Sequence, residues 1–284
     1  MKLLALAAVL FFLFLLQPAA AAHVKVLAPV EKTVDVGNAD ALDLGLVGPG
    51  QKLELIVSVG AGEISKAGQT DSKKEAEWDW LQVVHSSLPQ GWSGQDSLRF
   101  ESPMKAFVVV AKDAPDGDYY FEFKVNDDFE GVTQMTIKAK ARVRRELLSL
   151  RIVDEPVKLE SNTKGTFQIE LHNLASANDA FQLSLSGLPH QTEENTGQQI
   201  FVPLNSKVKV SVPVTAAEVG EYAIEFKAVS LSSPAIWDAK GTTLFAGTTL
   251  TSDLKAAGRG MLLFPSAAAA IYSLLSVLSG IFLG

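Results

Sequence analysis

The chain has 284 residues, with 25 Lys plus Arg against 32 Asp plus Glu, a net charge of −7 and no cysteine. The acidic balance argues against a nucleic-acid surface and disfavours adsorption to anionic lipid. Without cysteine no disulfide staples the fold, so each domain must stand on its packed core. The length and a hydrophobic share of 47% fit two domains of about a hundred residues each once two apolar ends are set aside.

Met1-Lys2, the apolar run Leu3 to Leu16, Pro18 and an Ala-x-Ala ending before His23 predict a signal peptide over 1–22, cleaved after Ala22. An uncleaved anchor would need a longer apolar core. From His23 the chain reads as strand and turn. Val24 and Val26 alternate with polar neighbours, Gly48-Pro49-Gly50 marks a turn, and Leu53, Leu55, Val57 and Val59 line one face of a strand. Gly60 to Lys74 has no apolar period and is expected to be a surface loop. Trp78 and Trp80 then fall on one side of a strand, Leu88 to Trp92 is a turn cluster, and Ala106 to Ala111 is the next strand. The last strand of this unit alternates Met135, Ile137, Ala139, Ala141 and Val143 with a row that includes Lys138, Lys140 and Arg142. Arg144-Arg145-Glu146 leads on without a Gly/Ser spacer, which predicts a short, stiff connection.

The second unit repeats these events. Phe167, Ile169 and Leu171, then Phe181, Leu183 and Leu185, then Val208, Val210, Val212 and Val214 form inward rows, and Ala235 to Leu250 is expected to close the unit. Gly117-Asp118-Tyr119-Tyr120-Phe121-Glu122-Phe123-Lys124 has a twin in Gly220-Glu221-Tyr222-Ala223-Ile224-Glu225-Phe226-Lys227. Each twin alternates as a half-buried strand does. Turn signals at short intervals and the lack of an amphipathic helix predict an all-β chain, two tandem immunoglobulin-like antiparallel sandwiches over 23–146 and 147–251. A polar spacer over 252–260 follows, and the apolar segment 261–283 is long enough for a transmembrane helix. No Lys or Arg follows Leu283, so the tail also matches a lipid-anchor signal that is cleaved and replaced in a eukaryotic host.

The order of a Leu-Pro step (Leu88-Pro89, Leu188-Pro189), a hydrophobic-Pro step (Val202-Pro203), a valine-rich strand and a Gly-acid-Tyr entry to the closing hairpin resembles the NPCBM-associated domain family. This immunoglobulin-like domain is named for its association with alpha-galactosidase carbohydrate-binding modules. The resemblance is best from Phe167 to Val229 and weaker from Leu53 to Val125. It implies a spacer or binding module on archaeal or bacterial envelope proteins, often with a C-terminal membrane anchor. The absence of cysteine and of any Asn-x-Ser/Thr site fits such an envelope better than an animal ectodomain.

Candidate chemistry is sparse. Asp113, Asp116 and Asp118 around Gly117 loosely resemble a calcium loop, but the spacing is not the twelve-residue pattern and turn chemistry explains it. Asn126-Asp127-Asp128 with Glu130 is a second acidic turn. His23, His85, His172 and His190 are scattered, and no nucleophile elbow or phosphate-cradling loop is present, so no catalytic residue, metal or cofactor is expected and the chain is read as a non-enzyme. Trp78, Trp80, Trp92 and Trp237 would stack on a sugar ring if exposed. Lys138, Lys140 and Arg142 form either a docking face or an edge protected against strand pairing. The expectation is an exported, membrane-anchored surface protein whose sandwiches act as a stalk, adhesion or protein-interaction module. The alternative is a carbohydrate-binding or accessory subunit of a membrane complex.

Overall fold

The structure is a computed structural model that describes residues 22–35, 37–61, 77–128, 134–153, 158–160, 163–188, 197–216 and 218–248. The signal peptide, most of the Gly60 to Lys74 loop, Glu130, His190, the polar spacer and the apolar tail lie outside them. Among the described residues no helix is long and apolar enough to cross a membrane.

The first unit contains β1 (His23–Ala28), β2 (Lys32–Asp35), β3 (Leu42–Val47), β4 (Lys52–Val57), β5 (Trp80–Val83), β6 (Ser93–Gln95), β7 (Met104–Val109), β8 (Gly117–Asn126) and β9 (Gln134–Val143). They form a five-stranded sheet in the order β2-β1-β4-β7-β6 and a four-stranded sheet in the order β3-β9-β8-β5. The alternation of β9 is carried out in full: Met135, Ile137, Ala139, Ala141 and Val143 are all buried. Trp92 sits in this core with its ring centroid 5.1 Å from Tyr119 and 5.6 Å from Phe121.

The second unit contains β10 (Leu148–Ile152), β11 (Lys158–Glu160), β12 (Lys164–Asn173), β13 (Asp179–Ser186), β14 (Gln198–Val202), β15 (Lys207–Thr215), β16 (Gly220–Ser230) and β17 (Trp237–Gly247). Its sheets run β10-β12-β15 and β11-β17-β16-β13-β14. This is the strand order of an immunoglobulin-like sandwich, with β11 joining β17 in parallel as the first strand crosses between sheets. Phe167, Phe181 and Phe226 fill the space between them, Phe167 and Phe226 at 5.1 Å.

The twin strands are the same device in both units. Tyr119 Oη donates to the carbonyl of Pro115 at 2.9 Å, and Tyr222 Oη donates to the carbonyl of Glu218 at 3.0 Å, each four residues back. That is the tyrosine corner of immunoglobulin-like sandwiches, which ties the incoming corner to its strand.

The units differ after β5 and its counterpart β13. In the second, β14 pairs with β13 and extends that sheet. In the first, β6 pairs with β7 in the opposite sheet, which leaves β5 as a rim. Phe100 to Pro103 and Phe201 to Pro203, alike in sequence as a Phe followed shortly by Pro, therefore differ in structure. Phe201 and Val202 are strand, whereas Phe100 sits in a turn at φ 59°.

The two cores divide between Val143 and Leu147, with Ala177 of the second unit packed in the first core.

Candidate functional site

Two of the four tryptophans offered as a sugar platform are core residues. Trp78 is 1% exposed, with Nε1 donating to the carbonyl of His23 at 3.0 Å, and Trp92 is 8% exposed. Trp80 is half-buried on the outer face; its Nε1 donates to Ser97 O at 3.1 Å and the Arg99 guanidinium lies 4.7 Å over its ring. The expectation that Trp78 and Trp80 share a side fails because β5 begins only at Trp80. At Trp78 the chain still runs beside β4, its N–H donating to Val59 O at 2.6 Å, and the side-chain parity resets on crossing to the other sheet.

The acidic turn is paired. Arg145 bridges to Asp116 and donates to Ala114 O at 3.1 Å, while Lys140 Nζ lies 2.7 Å from Asp118 Oδ2. The Lys140 hydrogen bond holds the Asp118 carboxyl below its usual range, and the same contact holds the Lys140 ammonium above the usual lysine range. Among the described residues no group of three His, Cys, Asp or Glu side chains gathers as a metal site.

The basic row is not an edge where it matters. Lys140 and Arg142 lie on β9 between β3 and β8, although the stretch from Gln134 to Lys138 has β8 alone beside it. Arg142 reaches Asp43 at 3.2 Å, and Lys138 stands opposite Glu122. Tyr120, 60% exposed, projects among these groups with Lys140 Nζ 5.7 Å from its ring centroid. Tyr120, Glu122, Lys138 and Lys140, with Ser87 and the Ala39–Asp40–Ala41 turn, line a cleft of about 510 Å³. An exposed aromatic ring beside polar and charged groups suits a small polar ligand. The cleft gathers two carboxylates, Asp40 and Glu122, but neither His85 nor His172 lines it. Sequence reading passed over Tyr120 because its neighbours Tyr119 and Phe121 carried the core signal.

The joint between units holds a buried polar network. Gln51 is fully buried; its Oε1 accepts the Gly48 N–H at 2.8 Å and its Nε2 donates to Asp179 Oδ2 at 2.7 Å. The buried Asp179 carboxylate also accepts Ser230 Oγ–H at 2.7 Å, Ser232 Oγ–H at 2.8 Å and the Ala180 N–H at 2.8 Å. Ser176 N–H donates across the joint to Leu46 O at 2.7 Å, and Leu46 packs on the second core. Gly45 and Gly50 have φ of 88° and 74°, and a Cβ on either would meet Ser176 Oγ or the Ser232 carbonyl. At the far end of the second unit, where the described chain stops, Leu159, Val219, Phe245 and Gly247 line a cleft of about 590 Å³.

No protein-family model and no curated protein matches the chain. Similar solved structures include the fibronectin(III)-like modules of Clostridium thermocellum CbhA, at 9% identity and TM-score 0.26, covering 79% of this chain and 94% of that one. A chimeric titin Z1Z2 functionalized with a KLER peptide from decorin is similar at 10% identity and TM-score 0.35, covering 81% and 100%. Escherichia coli alpha-2-macroglobulin activated by porcine elastase is similar at 13% identity and TM-score 0.28, covering 81% of this chain and 25% of that one. At these scores the likeness carries no argument, and the immunoglobulin-like reading rests on strand order and the tyrosine corners.

Proposed function

We propose that the protein is a non-enzymatic, membrane-anchored surface protein of a cell envelope, in which two immunoglobulin-like sandwiches act as a rigid spacer carrying an interaction surface away from the bilayer. The observation that supports this most is the joint. Gln51 and Asp179 are buried against each other with their hydrogen bonds satisfied, an arrangement suited to hold two domains at a fixed angle. The chain leaves the second unit at Thr248, the end remote from the joint, and the apolar segment 261–283 follows after a short polar spacer. In this reading the second unit lies next to the membrane and the first is outermost. The NPCBM-associated resemblance fits the same role.

Fractionation with mass spectrometry of the mature protein tests the tether. The expected product begins at His23, sits in the membrane fraction and retains residues 261–283. A cytosolic product with residues 1–22 intact would overturn the reading, and a C-terminus carrying a glycolipid would replace the helix by a lipid anchor.

The Tyr120 cleft favours a second reading, a glycan-binding or accessory subunit whose contacts are made by Tyr120, Lys138 and Lys140 and not by Trp78 or Trp92. A glycan array probed with residues 22–248, and again with Tyr120→Ala, tests it: binding lost with the ring supports this reading, and silence leaves the spacer.

A further inference from the structure

We propose that β14 is a homotypic docking edge, through which two copies of this chain pair antiparallel and join their five-stranded sheets into one. β14 is the rim of its sheet, with β13 on one side and no described strand on the other. A sheet rim presents unpaired N–H and C=O groups, and soluble proteins blunt it with charge, proline, brevity or a cover. Two other rims here, β15 and β5, are blunted. β15 carries Lys207, Lys209 and Pro213, and on β5 the N–H groups of Leu81 and Val83 donate to Ser97 Oγ and Asp96 Oδ1. The corresponding sheet of the first unit thus ends in a rim, β5, that side chains cap, while in the second the sheet ends in β14, which reads Gln-Gln-Ile-Phe-Val, with neither charge nor proline.

The outer face beside this rim carries exposed apolar side chains among glutamines: Phe201 on β14 is 61% exposed and Leu231, just past β16, is 52% exposed. Phe201 stands opposite Ala180, whose carbonyl accepts the Leu231 N–H, so Phe201 and Leu231 flank one residue. The occupant that fits is a second copy. A neutral strand meeting itself brings no like charges together, and an antiparallel pair is two-fold symmetric, the closed arrangement that most homodimers adopt. Centred on Ile200, the pairing puts Gln199 opposite the partner's Phe201 and brings both Phe201 rings to the seam. This inference is independent of the tether and of the Tyr120 cleft.

Sedimentation equilibrium on residues 22–248, which contain every residue of both cores, tests it. A reversible monomer–dimer equilibrium is expected, with amide exchange in β14 slowing as concentration rises. Phe201→Lys removes the apolar seam, and Gln199→Lys/Phe201→Lys sets lysines opposite lysines; both residues are exposed, so the cores are untouched. The double variant should weaken the dimer about tenfold or more. Lys209→Gln on β15 should leave it unchanged. A monomer at every attainable concentration, or a dimer that the double variant does not weaken, would overturn the proposal.

Discussion

Tryptophan parity shows how far a residue's fate is set by which sheet its backbone belongs to. Trp78 and Trp80 are two apart, and that spacing placed them together in the sequence; the crossing between sheets at Asp79 separates them. Trp92→Ala empties a core site against Tyr119 and Phe121 and should cost about 3–5 kcal/mol in a denaturant melt. Trp80→Ala, at a half-buried outer position, should cost well under half of that. At Asp118 and Lys140 the pH dependence has a definite sign. The lowered Asp118 pKa contributes stability that is present above its unfolded value of 3.8 and is lost as pH falls through the folded value. The raised Lys140 pKa contributes stability present below 10.5 and lost as pH rises through its folded value. Both groups are solvated, so salt weakens the pair. Lys140→Gln should return the Asp118 titration upward toward the ordinary carboxylate range, read by carboxyl NMR; an unmoved titration would contradict the assigned contact.

Elements were legible in proportion to their length and the regularity of their alternation. β8, β9, β12, β13, β15 and β16 run eight to eleven residues and each keeps one face buried along most of its length. β2, β6 and β11 have three or four residues, too few for a period to show. β3 hides for a different reason: its register slips between Asp43 and Leu46, around Gly45 in the left-handed region, so its alternation is broken. The Gly-acid-Tyr entry was visible as a repeat, but its function as a corner needed the carbonyls of Pro115 and Glu218. Tyr119→Phe and Tyr222→Phe should each lower stability by about 0.5–1.5 kcal/mol at unchanged denaturant slope. Loss of the slope instead would mean that the corner sets compactness.

At the scale of the whole molecule, the two units are legible in the sequence, but the polar contact between them is not. Gln51 and Asp179 are 128 residues apart, and each reads alone as an ordinary polar residue near a turn. The Tyr120 cleft was illegible for a related reason, since Asp40, Ser87 and Lys138 come from separate segments. Asp179→Ala leaves the Gln51 amide and two serine hydroxyls without their acceptor in a buried joint. It should cost on the order of 3 kcal/mol and split a single thermal transition into two. The most direct test of the rigid spacer uses the lack of cysteine. Spin labels on Thr136→Cys and Lys209→Cys, one in each unit, report a single inter-domain distance by pulsed electron resonance. One narrow distribution that broadens in Asp179→Ala is the expected result; a broad distribution in the unaltered joint would contradict the account.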